Sequence, residues 1–274
     1  MKKLMVLIAT VLVLSAVGFV VAQPETVSAT VANGQGHPTV TIPAHAVELA
    51  PGVFDIGTAV VNGQVVHGIA FIHYKEGFTH RPGHGGAPGG STCYAFLASG
   101  AKWKVTEDYI LDSANVFGLS DAFVASGIET GANAWDGQVA FDVFGSRTAG
   151  VVDGADTVQP DTKNEVYFGS IDDAGAIAVT IVWGIFSGPP GNRKLVEWDQ
   201  VYDQVDFAWG DATINTAVMD FLNIAVHEIG HAGGMGHPSG TCTEETMYAY
   251  ATEGETKKRD LNAGDIAGIK ALYK

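Results

Sequence analysis

Apolar positions recur along the chain with two different periods, and each period predicts its own element. Residues 101–111, 138–144, 165–168, 177–186 and 195–207 are enriched in β-branched and aromatic side chains and bounded by Gly, Asp or Pro, which predicts five strands. Between the first two, Phe123, Gly127, Ile128, Gly131 and Trp135 return every three to four residues, so a helix is expected over 120–135 with Ser120 as its N-cap. Ile214, Val218, Leu222, Ala225 and Ile229 form one stripe at helical spacing. A helix over 214–232 follows, with that stripe toward the core and Asp220, Asn223, His227 and His231 on the opposite side, toward a cleft. A last helix is expected from Asn262, which has Asp265 three residues on, through Ile266, Ile269 and Leu272.

Ahead of the first strand the pattern changes twice. Lys2 and Lys3 precede an apolar run from Leu4 to Val21 that leads into Ala22, which reads as a secretory signal over 1–22. The run is also just long enough to cross a bilayer, so an uncleaved membrane anchor is the competing reading. Either places the rest of the chain outside the cytoplasm. Residues 23–76 alternate mildly, as from Ile69 to Tyr74, and read as a pro-segment or accessory β unit without a catalytic constellation. Residues 77–90 are dominated by Gly and Pro and read as a flexible linker in which His80 and His84 are solvated. Residues 91–274 remain as the main domain.

Composition narrows the function. Of 274 residues, 46% are hydrophobic, which is enough for a core and rules out a disordered acidic tail. A formal net charge of -15 leaves no basic surface for phosphates, so no nucleic-acid partner is expected. Two cysteines can form one bridge but no four-thiolate site, so a metal site must lean on His and carboxylates.

The segment His227-Glu228-Ile229-Gly230-His231-Ala232-Gly233-Gly234-Met235-Gly236-His237 meets that requirement. Two histidines four apart on a helix project from adjacent turns and can share one Zn²⁺. Glu228 lies beside the first ligand and is the candidate general base toward a zinc-bound water. A third ligand cannot come from the same helix face. Gly234 can end the helix in a left-handed conformation, and Gly233 and Gly236 let the chain turn back to bring in His237. Three imidazoles and one water make an open site suited to hydrolysis.

The pattern His227-Glu-x-x-His231-x-x-Gly234-x-x-His237 resembles that of the metzincin zinc metallopeptidases, and the surrounding chain resembles their matrixin branch. Met247, in Glu245-Thr246-Met247-Tyr248, stands where those enzymes carry the methionine of the Met-turn, and residues 265–273 resemble the closing matrixin helix. The likeness covers roughly 91–274 and is most like secreted archaeal and bacterial types. It implies an α+β domain: a twisted, mostly parallel five-stranded sheet with an antiparallel edge strand near 178–186, a zinc-binding helix, the Met-turn and a C-terminal helix. It also implies a secreted, monomeric zinc endopeptidase. A protein or peptide substrate would add itself as an extended strand to the sheet edge.

The sequence departs from relatives of this kind in two places. Ala249 stands two positions after Met247, where the astacin and serralysin branches place a ligand tyrosine, and the Pro-Arg-Cys-Gly of vertebrate matrixin pro-peptides has no counterpart. In an exported chain Cys93 and Cys242 read best as one disulfide, with Cys93 as a fourth zinc ligand in a latent form as the alternative. Asp172 and Asp173 precede the edge strand where matrixins carry structural Ca²⁺, although Asp and Gly there also suit an ordinary turn. Two other functions stay open: a secreted zinc-binding or interaction module without turnover, and a metallohydrolase of non-peptide substrates.

Overall fold

The computed structural model describes residues 36–78 and 92–274. The signal segment 1–22 and most of the linker, with His80 and His84, lie outside the described residues. The main sheet runs in the order β1 (Val47–Ala50), β2 (Val53–Val61), β3 (Gln64–Lys75), β8 (Ala176–Ile185), β9 (Lys194–Asp203), β7 (Glu165–Gly169), β5 (Glu107–Asp112) and β6 (Phe144–Thr148). Strands β9, β7, β5 and β6 are mutually parallel and β8 is antiparallel to β9, the mixed α+β sheet that the sequence implies. Short pairs complete the scaffold: β4 (Ala95–Phe96) with β12 (Met235–Gly236), β10 (Trp209–Gly210) with β11 (Met219–Asp220), and β13 (Tyr250–Ala251) with the end of β3.

Both faces of the central strands are covered, which explains why β7, β8 and β9 read as near-continuous apolar runs. On one face Val182, Trp198, Tyr202 and Phe168 pack against helices α1 (Asp121–Asp136), α2 (Phe221–Ala232) and α3 (Ala263–Leu272). On the other, Val179, Ile181, Trp183 and Val201 pack against Val40, Ile56, Val66 and Ile72. Ser120 caps α1 by accepting from the Phe123 amide, and Asn262 with Asp265 forms a capping box on α3, both where the sequence places them.

Four expectations change. The strand expected over 138–144 begins only at Phe144, because the Asp136 carboxylate at the end of α1 accepts from the Val143 and Phe144 amides and closes a loop there. The helix expected from Ile214 begins at Phe221: Asp220 is its N-cap, accepting from the Asn223 amide, and Ile214 is 85% exposed. Helix α2 is buried all round, so its histidines do not line an open cleft. Finally, the five expected strands are only part of a nine-stranded sheet, and β8 is antiparallel but is not its edge. Strand β3 pairs along it from His67↔Gly184 to Tyr74↔Ala176.

Candidate active site

Helix α2 carries His227, Glu228 and His231, and its last turn releases the chain toward the third histidine. The Gly233 amide donates to Ile229, Gly234 takes φ +96°, and Met235–Gly236 then pairs with Ala95–Phe96 as β12 on β4. Only glycine takes that φ without strain, so the turn that delivers His237 depends on Gly234. Cys93 and Cys242 form a disulfide with Cα atoms 5.5 Å apart, fastening the approach to β4 to the loop beyond His237. That pairing removes Cys93 as a thiolate ligand.

The three imidazoles converge. His231 Nε2 lies 3.1 Å from His227 Nε2 and 3.0 Å from His237 Nε2. His227 Nδ1 donates to the Thr246 carbonyl at 2.6 Å and His231 Nδ1 to the Met235 carbonyl at 2.9 Å. A carbonyl only accepts, so each of these Nδ1 atoms carries the proton and each Nε2 presents a bare lone pair. Bare lone pairs pointed at one another repel, and a cation at their meeting point removes the repulsion. The donor set therefore fits Zn²⁺, with second partners that fix both tautomers. Burial keeps all three rings neutral by lowering their pKa values, that of His231 to about 3.

Met247 is fully buried, with its sulfur against Gly230, which lies between His227 and His231 in α2. Asp265 holds the turn: its carboxylate accepts from the amides of Thr246 at 2.7 Å and Met247 at 3.1 Å as well as capping α3. The C-terminal helix thus positions the Thr246 carbonyl that orients His227. The sequence shows Asp265 as a cap; its second task needs the fold.

Glu228 is fully buried and held from two sides. Thr180 of β8 donates to Oε2 at 2.6 Å, and His73 of β3 meets Oε1 at 3.0 Å through Nδ1. The other nitrogen of His73 lies 2.9 Å from Lys258 Nζ, which also donates to the Tyr248 and Tyr250 carbonyls. His73 thus bridges Glu228 and Lys258 through its two ring nitrogens. Burial pushes the Glu228 carboxyl up to about 8 and lowers Lys258 to about 7. The sequence reading found no catalytic constellation before residue 77; the structure puts His73 of that segment directly on the candidate base. Thr180 and Lys258 were missed as well. A buried lysine or a histidine inside an alternating strand carries no spacing signal.

The acidic candidates fall elsewhere than expected. Asp173 accepts from the Tyr74 hydroxyl and the Gly175 amide, and neither it nor Asp172 joins a convergent ligand set among the described residues. Asp156, Glu197 and Asp199 do converge. Glu197 accepts from the Thr162 amide through Oε2, while its buried Oε1 has no partner. Burial and neighbouring carboxylates push Glu197 up to about 10.

The mixed sheet, the His-Glu-x-x-His helix and the methionine turn together define a domain of the metzincin class. The chain belongs to the matrixin family, whose profile matches residues 105–274, well over half its length. It is similar to three proteins of Arabidopsis thaliana. It is 47% identical to Metalloendoproteinase 2-MMP over 58 residues, 21% of this chain and 15% of that protein. Metalloendoproteinase 5-MMP is 43% identical over 58 residues, again 21% and 15%, and Metalloendoproteinase 4-MMP 38% over 69 residues, 25% and 18%. The matches thus span less than a fifth of each relative.

Proposed function

We propose that this chain is a secreted zinc-dependent endopeptidase, with His227, His231 and His237 as metal ligands and Glu228 as general base. The observation that carries the reading is the pair of bare Nε2 lone pairs, with His237, beside a buried carboxylate that no structural site requires. Zinc, when bound, supplies Lewis acidity toward a carbonyl and acidifies water. Glu228 takes the proton of the attacking water and delivers it to the leaving amine. Thr180 fixes the carboxylate's orientation. A peptide substrate lies extended along β8, in the place that β3 takes here.

Export rests on the signal-like N-terminus and on the disulfide. Among the described residues no helix is long and apolar enough to cross a membrane. We read the chain as a monomer of the archaeal and bacterial type on the sequence resemblance alone, beside relatives that come from a plant. Calcium we place at Asp156, Glu197 and Asp199, because the orphaned Glu197 Oε1 calls for a cation. Added Ca²⁺ should raise the melting temperature of wild type and leave Glu197→Gln unmoved.

The deciding experiment is cleavage of an unfolded protein by chain lacking residues 1–22, before and after a cut between Phe78 and Thr92. Zinc chelation should abolish cleavage, and Glu228→Ala should lower it by roughly 10²–10⁴. Absence of cleavage from wild type in both forms would overturn the peptidase reading and favour the non-catalytic zinc module.

A further inference from the structure

Among the described residues Lys258 is the only lysine or arginine with no exposed surface, and the reaction outlined above gives it no task. It belongs to the short turn Lys257–Arg259, whose Lys258 amide donates to Asn223 Oδ1 of α2 at 2.7 Å. Its Nζ meets three partners. Two are carbonyls of the domain itself, Tyr248 at 2.7 Å and Tyr250 at 2.6 Å. The third is His73 Nε2 of β3, at 2.9 Å. No carboxylate bonds to this amine directly: Glu255 keeps its Oε1 3.9 Å away and also serves Asn223 and Lys257. Strand alternation sets the remaining geometry. Phe71 and His73 point to the same face, Phe71 stacking on His231 at 4.0 Å between ring centroids and His73 lying over His227 at 3.9 Å. A chain paired with β8 here thus crosses two metal ligands and sends its side chain at the His73 place between Glu228 and Lys258.

We propose that Lys258 determines specificity, selecting peptides that carry an acidic side chain beside the scissile bond, in the place that His73 takes here. The proposal rests on the endopeptidase reading above, which lays a substrate along β8. With a substrate in that place, the third position around Nζ falls to the substrate's own side chain, because its backbone groups pair with the strands on either side. An aliphatic side chain leaves a buried amine one hydrogen bond short and without a counter-charge, which is costly. A neutral amide supplies the bond but not the charge. A carboxylate supplies both, and a charge-assisted bond is roughly twice as strong as a neutral one. It also favours the ammonium form that burial disfavours. A substrate lysine or arginine would set like charges together in the same pocket. Glu extends its oxygens about as far from the backbone as an imidazole extends Nε2, so Glu suits the place better than Asp.

The test has two arms, and the first needs no cleavage. In the full chain, position 73 itself serves as the probe: His73→Glu and His73→Gln are compared by urea unfolding, both with Glu228→Gln so that the base carries no charge. With Lys258 present, His73→Glu should have the higher folding equilibrium constant, by roughly ten-fold, and Lys258→Met should remove the difference. Lys258→Gln, which keeps N–H groups for the Tyr248 and Tyr250 carbonyls, repeats the comparison should Lys258→Met not fold. In the second arm a peptide mixture is offered to chain cut between Phe78 and Thr92. Glu should be enriched over Gln roughly ten-fold at one fixed position beside the cleaved bond, the enrichment should vanish in Lys258→Met or Lys258→Gln, and Lys258→Glu should turn it toward Lys and Arg. Variants that slow cleavage of all peptides alike and leave the preference unmoved would make Lys258 a tether of Tyr248 and Tyr250 and overturn the proposal. Equal stability of His73→Glu and His73→Gln beside Lys258 overturns it too. A difference at position 73 without cleavage of any peptide leaves the carboxylate site standing and overturns the endopeptidase reading instead.

Discussion

Two regions meet at Glu228, and they are specified by different kinds of information. Helix α2 and the segment to Met247 are organised by short spacings: two histidines four apart, a glycine turn, a third histidine, a methionine turn. Strand β3 is organised by pairing with β8, and its decisive contact joins residues 155 positions apart. A local pattern constrains geometry through the helical period alone, whereas a strand partner is chosen from every available edge. The chemistry of this site is therefore local, and access to it is set by a distant segment.

The largest effect expected on the motif side comes from the disulfide. Cys93 and Cys242 close a loop across 149 positions, which in the chain-entropy model is worth about 5 kcal/mol. Cys93→Ser with Cys242→Ser should lower the melting temperature by many degrees and weaken zinc binding through a looser His237. If the double variant keeps its zinc affinity, the loop holds His237 without the bridge.

A pair of glycine substitutions sharpens the contrast. A Cβ on Gly230 would fall 2.6 Å from Trp135 Cζ2 and closer still to Met247, and a Cβ on Gly68 of β3 would fall 2.6 Å from Ile56 and 2.8 Å from Trp183. Each overpacks a core at a cost of about 1–3 kcal/mol. Helix propensity returns up to about 1 kcal/mol at Gly230, which does not offset it. Both variants should unfold at lower urea, yet their activities should move in opposite directions. Gly230→Ala disturbs the methionine turn and lowers cleavage; Gly68→Ala loosens the strand that blocks the groove and raises it. Were Gly68→Ala to lower cleavage as well, β3 would be a working part of the site.

The same contrast explains what was legible in advance. Ser120, Asn262 with Asp265, and the eleven-residue motif were readable because a cap or a ligand pair acts within one or two turns. Strands β7, β8 and β9 were readable because burial on both faces leaves continuous apolar runs. The apolar period runs past the start of helix α2, because Ile214 and Val218 continue it, and only the capping by Asp220 shows where the helix begins. The covered edge of β8 was not readable, since alternation in 64–75 announces a strand and says nothing about its neighbour.

Acid should separate the two regions by a smaller amount. Asp211 accepts from Thr213 and from Arg259, which also grips Asp220, the cap of α2; these bonds lower the Asp211 carboxyl to about 2. A carboxyl depressed in the folded state adds stability above its unfolded value near 4, and that contribution is lost as pH falls through about 2. Asp211 is partly exposed, so screening by solvent limits the effect to less than about 1 kcal/mol. Wild type should accordingly lose slightly more stability between pH 4 and pH 2 than Asp211→Asn, as read from urea midpoints. Equal losses would mean that Arg259 holds the start of α2 through Asp220 alone.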